Sequence, residues 1–120
     1  MELSGGQLVR YIGIDTPEVR RKEGERWVVD PEPLGLEAAA FNRQLVAGKR
    51  VRLEYDVQTH DRFGRLLAYV YVGDVMVNAE LLRVGLAQLL TIPPDVKYVD
   101  RFRALAEQAR RDKRGLWKDR

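Results

Sequence analysis

The sequence predicts an α+β domain. Three features carry that expectation: short alternating or β-branched stretches, two longer stretches of helical period, and the Gly and Pro residues between them. With 120 residues and no cysteine, the chain is sized for one core that stands without disulfides or thiolate metal sites. Its 45% hydrophobic and 32% charged residues are ordinary for a folded domain. No apolar run nears the roughly 20 residues needed to cross a bilayer, so a membrane is not an expected partner.

Gln7 to Ile14 alternates polar and apolar residues and reads as one strand. It ends at Asp15-Thr16-Pro17-Glu18, because Pro17 has no N–H to give to a ladder. The polar stretch from there to Pro33 reads as a long loop, and long loops in compact domains are commonly functional. Gly35 to Ala47 carries a helical stripe of Leu36, Ala39, Ala40 and Leu45 or Val46, with Gly48 placed to cap it. Arg50 to Tyr55 alternates again, and Leu66 to Val72 is apolar enough for a strand buried on both faces. Gly73-Asp74 turns into a short strand, Val75 to Val77, and Asn78 is expected to cap a helix from Ala79 to Val84. Leu86 to Leu90 reads as a further strand. The last helix is expected from Tyr98 to Arg114, with Phe102, Leu105, Ala106 and Ala109 inward. A small Greek-key barrel is one way to close such strands, although pattern alone does not select it.

Charge is uneven. From Lys97 onward nine Lys/Arg stand against four Asp/Glu, so the basic excess sits on the last element, where it can draw a polyanion or simply stay solvated. The sharper signal is Arg10, Asp15, Thr16 and Glu18, followed at a distance by Arg65. Taken singly, Arg10 is an edge or snorkelling arginine, and Asp15 and Glu18 are a turn residue and a solvated acid. Taken together they are the groups phosphodiester cleavage needs: a carboxylate to activate water, a hard oxygen for a cation, and guanidiniums for phosphate oxygens. His60 is the one histidine and reads as a solvated loop residue.

Val9-Arg10-Tyr11-Ile12-Gly13-Ile14-Asp15-Thr16-Pro17-Glu18 resembles the signature of the staphylococcal nuclease (thermonuclease) family, an arginine strand running into an Asp-Thr-Pro-Glu turn. Asp61-Arg62-Phe63-Gly64-Arg65-Leu66-Leu67-Ala68-Tyr69-Val70 resembles the family's second signature. Met76-Val77-Asn78, Leu81, Gly85-Leu86-Ala87 and Gly115-Leu116-Trp117 follow in order. The resemblance implies an OB-type five-stranded barrel with three helices, and a calcium-dependent nuclease acting on DNA and RNA, single strands preferred. By position, Glu18 would be the general base, Arg10 and Arg65 the phosphate clamp, and Asp15 with the Thr16 carbonyl the ligands of Ca2+. Phe63 and Tyr98 are candidates for substrate contact. The alternative in another class is a non-catalytic nucleic-acid-binding module of the same fold.

One departure from the family pattern is expected to matter. The family's first hairpin carries an Asp-Gly-Asp-Thr segment upstream of the arginine strand, whereas here only Met1-Glu2-Leu3 and the turn Ser4-Gly5-Gly6 precede it. Residues 1–120 therefore read as an N-terminally truncated nuclease-like domain. Two expectations follow: weaker calcium binding, since few anionic ligands remain, and a dimer or strand exchange through the unpaired first strand.

Overall fold

The structure, a computed structural model, describes residues 1–118. Its spine is one strand, β6 (Leu66–Val72), the stretch whose apolar run predicted burial, and the observed bounds match the expected ones. Ala68, Tyr69 and Val70 at its centre are almost fully excluded from solvent. Three strands pair with it. β1 (Val9–Tyr11) runs parallel, with Val9 opposite Leu66 and Tyr11 opposite Ala68. β5 (Arg52–Glu54) is antiparallel, with Leu53 opposite Val70. β7 (Val75–Met76) closes a tight hairpin through Gly73-Asp74. Together with β2 (Ile14–Asp15), which pairs antiparallel with β8 (Gln88–Leu89), these short strands wrap the core as the OB-type α+β fold the sequence predicts.

The expected single strand from Gln7 to Ile14 is instead two strands separated by a turn. Gly13 sits at φ 84°, and a Cβ there would lie 2.6 Å from the Phe102 ring. Only glycine meets both conditions, so the chain pivots at this point and changes partner from β6 to β8. The Leu90 N–H donates to the Gly13 carbonyl at 2.9 Å and secures the change. On the other flank of β1, Met1–Leu3 folds back. The Val9 N–H donates to the Met1 carbonyl at 2.7 Å, and Glu2 bridges to Leu8.

Three helices cover the barrel: α1 (Gly35–Val46), α2 (Val77–Arg83) and α3 (Val99–Arg111). α2 is the central one, with Val77, Asn78, Ala79, Leu81 and Leu82 all buried. Asn78 is not the N-cap the sequence suggested. It lies inside α2 with no exposed surface, and its side chain links three backbone groups. Its Oδ1 accepts the Val70 N–H at 2.9 Å, while its Nδ2 donates to the carbonyls of Ile12 at 2.9 Å and Ala68 at 3.3 Å. A cap side chain reaches only its own helix, whereas this one ties α2, β6 and the β1–β2 turn together. α3 contributes Phe102, Ala106 and Ala109 to the core, as its stripe predicted. Among the described residues no helix is long and apolar enough to cross a membrane.

The long polar stretch after Glu18 also departs from its expected form. It is not a loop but a β-hairpin, β3 (Arg20–Glu23) and β4 (Arg26–Val29), joined by Gly24-Glu25. Charged residues hid it from a hydrophobic-alternation reading: β3 is Arg-Arg-Lys-Glu and is exposed along its whole length. Such a strand is held by its ladder rather than by burial.

Candidate active site

β1 and the Thr16–Glu18 turn form one wall of a cleft of about 570 Å³, and the start of β6 reaches it from beside β1. Arg10, Glu18 and Arg65 all line this cleft. The parallel β1–β6 pairing brings the two arginines together: Arg10 stands opposite Leu67, and Arg65 immediately precedes the first paired residue, Leu66. No ion pair or hydrogen bond to a described residue engages the Arg10 guanidinium. A cation left unpaired in a cleft is available to an anion from outside.

Arg65 is held from behind. Its Nε donates to Asp61 Oδ2 at 2.7 Å, while Asp61 Oδ1 accepts the backbone N–H groups of Phe63 at 2.9 Å and Arg65 at 3.0 Å. Burial pushes the Asp61 carboxyl up, but these amides and the guanidinium outweigh it and hold the group below the usual aspartate range. The arrangement consumes Nε and leaves both terminal nitrogens of Arg65 unclaimed by any described residue. Those two nitrogens are the fork that matches two phosphate oxygens.

Glu18 is exposed, and its backbone rather than its carboxylate is fixed. Its N–H donates to Glu32 Oε1 at 2.7 Å, and its carbonyl accepts the Glu32 N–H at 2.8 Å. Gly35, at the start of α1, presses on the same carbonyl, where a Cβ would come within 2.6 Å of the oxygen. The hairpin and α1 thus set the Asp15–Glu18 turn between them, with the Glu18 side chain free at the rim.

The remaining candidates are less closely gathered. Thr16 lines the cleft; Asp15, exposed and opposite Gln88 in the β2–β8 pair, does not. Phe63 is 69% exposed beside Arg65, with the Arg62 and Arg65 guanidiniums 4.8 and 5.5 Å from its ring, and it also lies outside the cleft. Tyr98 is not brought to the site. Its ring packs against Tyr69 at 4.6 Å and Phe102 at 6.1 Å, and its hydroxyl donates to Glu54 at 2.8 Å. These contacts give Tyr98 a packing role, and the residue does not line the cleft. His60 is exposed, its ring Nδ1 3.0 Å from the Thr59 hydroxyl and its backbone bridged to Leu66, and it does not line the cleft.

Sequence reasoning did not single out Asp61, Glu32, Gly35 or Trp27. Asp61 had a readable signal, an acid four residues before an arginine across a glycine turn. The other three act through tertiary contacts.

The family model described as "Staphylococcal nuclease homologue" matches residues 8–119. The chain is 39% identical over 111 residues to the thermonuclease of Staphylococcus hyicus, covering 92% of this chain and 63% of that protein. It is 40% identical over 106 residues to the thermonuclease of Staphylococcus intermedius, covering 88% and 58%. It is 38% identical over 111 residues to endonuclease YncB of Bacillus subtilis (strain 168), covering 91% and 50%. The chain thus spans about half to two thirds of the length of these relatives.

Proposed function

Since the chain belongs to the staphylococcal nuclease homologue family, we propose that it is a nuclease hydrolysing phosphodiester bonds in DNA and RNA, preferring single strands. The observation that carries the reading is the convergence of Arg10, Glu18 and Arg65 on one cleft with the guanidinium of Arg10 and the fork of Arg65 unclaimed. In this mechanism the Glu18 carboxylate takes the proton from a water as its oxygen attacks phosphorus. Arg10 and Arg65 hold the non-bridging oxygens, whose negative charge grows as the five-coordinate state forms. Charge-assisted, bidentate bonds to those oxygens strengthen in that state and lower the barrier. The P–O bond opposite the incoming water then breaks, and the departing oxygen takes a proton from solvent and leaves with its nucleotide as an alcohol.

Calcium belongs to the reading through Asp15 and the Thr16 carbonyl, which are hard oxygen donors of the right kind. In number they fall short. Calcium takes roughly six to eight oxygens, and among the described residues no group of three His, Cys, Asp or Glu side chains is placed to hold a metal. These residues do not close a calcium site by themselves, and no step above runs through the ion. The expected measurement is calcium binding by calorimetry in roughly the millimolar range, as for sites with few charged ligands. Micromolar binding by the chain alone would show that other residues complete the site.

The decisive test is digestion of single-stranded DNA with calcium present. Glu18→Gln should lose about two to four orders of magnitude in rate. Arg65→Lys should lose about two, because an ammonium cannot both answer Asp61 and offer a planar pair of donors. Undiminished cleavage by Glu18→Gln rejects the base assignment. Tight oligonucleotide binding with no cleavage by the unsubstituted chain favours the binding-module alternative.

A further inference from the structure

The β3–β4 hairpin reaches the same cleft. Trp27 and Arg20 line it together with Arg10, Glu18 and Arg65, and Trp27 is 64% exposed. In the ladder Trp27 stands directly opposite Lys22, and Val29 opposite Arg20. Side chains of directly opposed residues, and of residues two apart in a strand, share a face. One face of the hairpin therefore presents Arg20, Lys22, Trp27 and Val29.

The two faces differ in charge balance. On the opposite face Arg21 is neutralised by Asp30 and by Glu23, the latter at 3.2 Å. On the Trp27 face neither Arg20 nor Lys22 pairs with any described carboxylate. An exposed indole beside two unneutralised cations, at the rim of a cleft holding two further arginines, is complementary to an unpaired nucleotide: a π-face for the base and cations for the phosphates beside it. The hairpin is also joined directly to the turn that carries Glu18, since β3 starts two residues later and the return leg grips Glu18 through Glu32.

Building on the nuclease reading, we propose that this hairpin is the substrate arm of the cleft. Trp27 stacks on an unpaired base next to the scissile phosphate, and Arg20 and Lys22 take the flanking phosphates. A base inside a duplex has both faces covered by its neighbours, so the arm selects single-stranded DNA or RNA.

The experiment uses the full chain and a single-stranded DNA oligonucleotide, with cleavage kinetics in one arm. In the other, tryptophan fluorescence is followed in the Glu18→Gln background, where binding is read without turnover. Trp27→Phe in that background gives the signal of Trp117 alone. Trp27→Ala should raise KM about tenfold or more, the loss lying in KM rather than kcat, and should narrow the preference for single over double strands. Trp27→Phe should recover most of the affinity. Arg20→Ala with Lys22→Ala should flatten the dependence of log affinity on log salt by about one unit or more. Oligonucleotide should quench the Trp27 signal. Cleavage by the unsubstituted chain with KM within twofold for Trp27→Ala and no quenching overturns the arm and leaves the nuclease reading standing. Quenching at Trp27 with no cleavage by the unsubstituted chain supports the arm and overturns the nuclease reading.

Discussion

Glu32 holds Glu18 at both ends of its backbone, accepting its N–H at 2.7 Å through the side chain and donating to its carbonyl at 2.8 Å through the main chain. The two residues lie on opposite ends of the hairpin excursion, so the excursion itself locks the position of the proposed base. Glu32→Ala removes the side-chain half of the clasp, a bond of about 1 kcal/mol net. A fall in kcat of about three- to tenfold is expected, with oligonucleotide affinity and melting temperature nearly unchanged. Glu32→Gln keeps an acceptor oxygen and should restore the rate. Equal kinetics for all three proteins would separate the clasp from catalysis.

Gly35 fills a gap of backbone width against the Glu18 carbonyl, 2.6 Å from where a Cβ would stand. The obstacle is main chain, so a methyl group there has to displace either α1 or the turn. Gly35→Ala should cost about 1–3 kcal/mol in urea denaturation and lower kcat along with it. Ala38, also buried in α1, is the control: Ala38→Gly should reduce stability by about 1–2 kcal/mol through helix propensity and the lost buried methyl, without moving the turn.

Asp61 organises Arg65, and its carboxyl is lower in the folded chain than in the unfolded one. The folded state therefore binds that proton less readily. The associated stability is fully present above the ordinary aspartate value of about 3.9 and drains away as pH falls through the folded value. Asp61→Asn should reduce stability at neutral pH and show a shallower loss on acidification below about pH 4, measured by urea midpoints across pH. Its nuclease rate should fall as well, because the freed Arg65 side chain no longer points its fork into the cleft.

Asn78 is the polar residue on which three elements converge, and its bonds to Val70, Ile12 and Ala68 have no water to replace them. Asn78→Leu strands a buried N–H and a buried carbonyl, at about 1–3 kcal/mol each. A drop of several kcal/mol in unfolding free energy, or failure to fold, is expected. Asn78→Asp keeps only the acceptor and buries a charge, so it should be destabilising as well, and more so at neutral than at acid pH.

Much of the molecule was legible from local pattern. β6 was readable because a strand buried on both faces must be continuously apolar, and α3 because Phe102, Ala106 and Ala109 recur at helical spacing. The misreadings came where tertiary partners overrode local signals. Asn78 has the chemistry of a cap, and only its three distant partners turn it into a buried bridge. Arg20 to Val29 lacks hydrophobic alternation, so its ladder could be seen only once both strands were placed side by side.

The amino-acid order alone determined the α+β class, the turn carrying Asp15, Thr16 and Glu18, and the kinds of group on offer for phosphate chemistry, because these depend on neighbours in the chain. Only the tertiary structure decided that Arg10 and Arg65 share a cleft with Glu18, that Tyr98 is committed to packing, and that Trp27 faces the same cleft. Each of those outcomes depends on pairings between segments far apart in sequence, above all β1 against β6, and on which side chains find buried partners when the chain closes on itself.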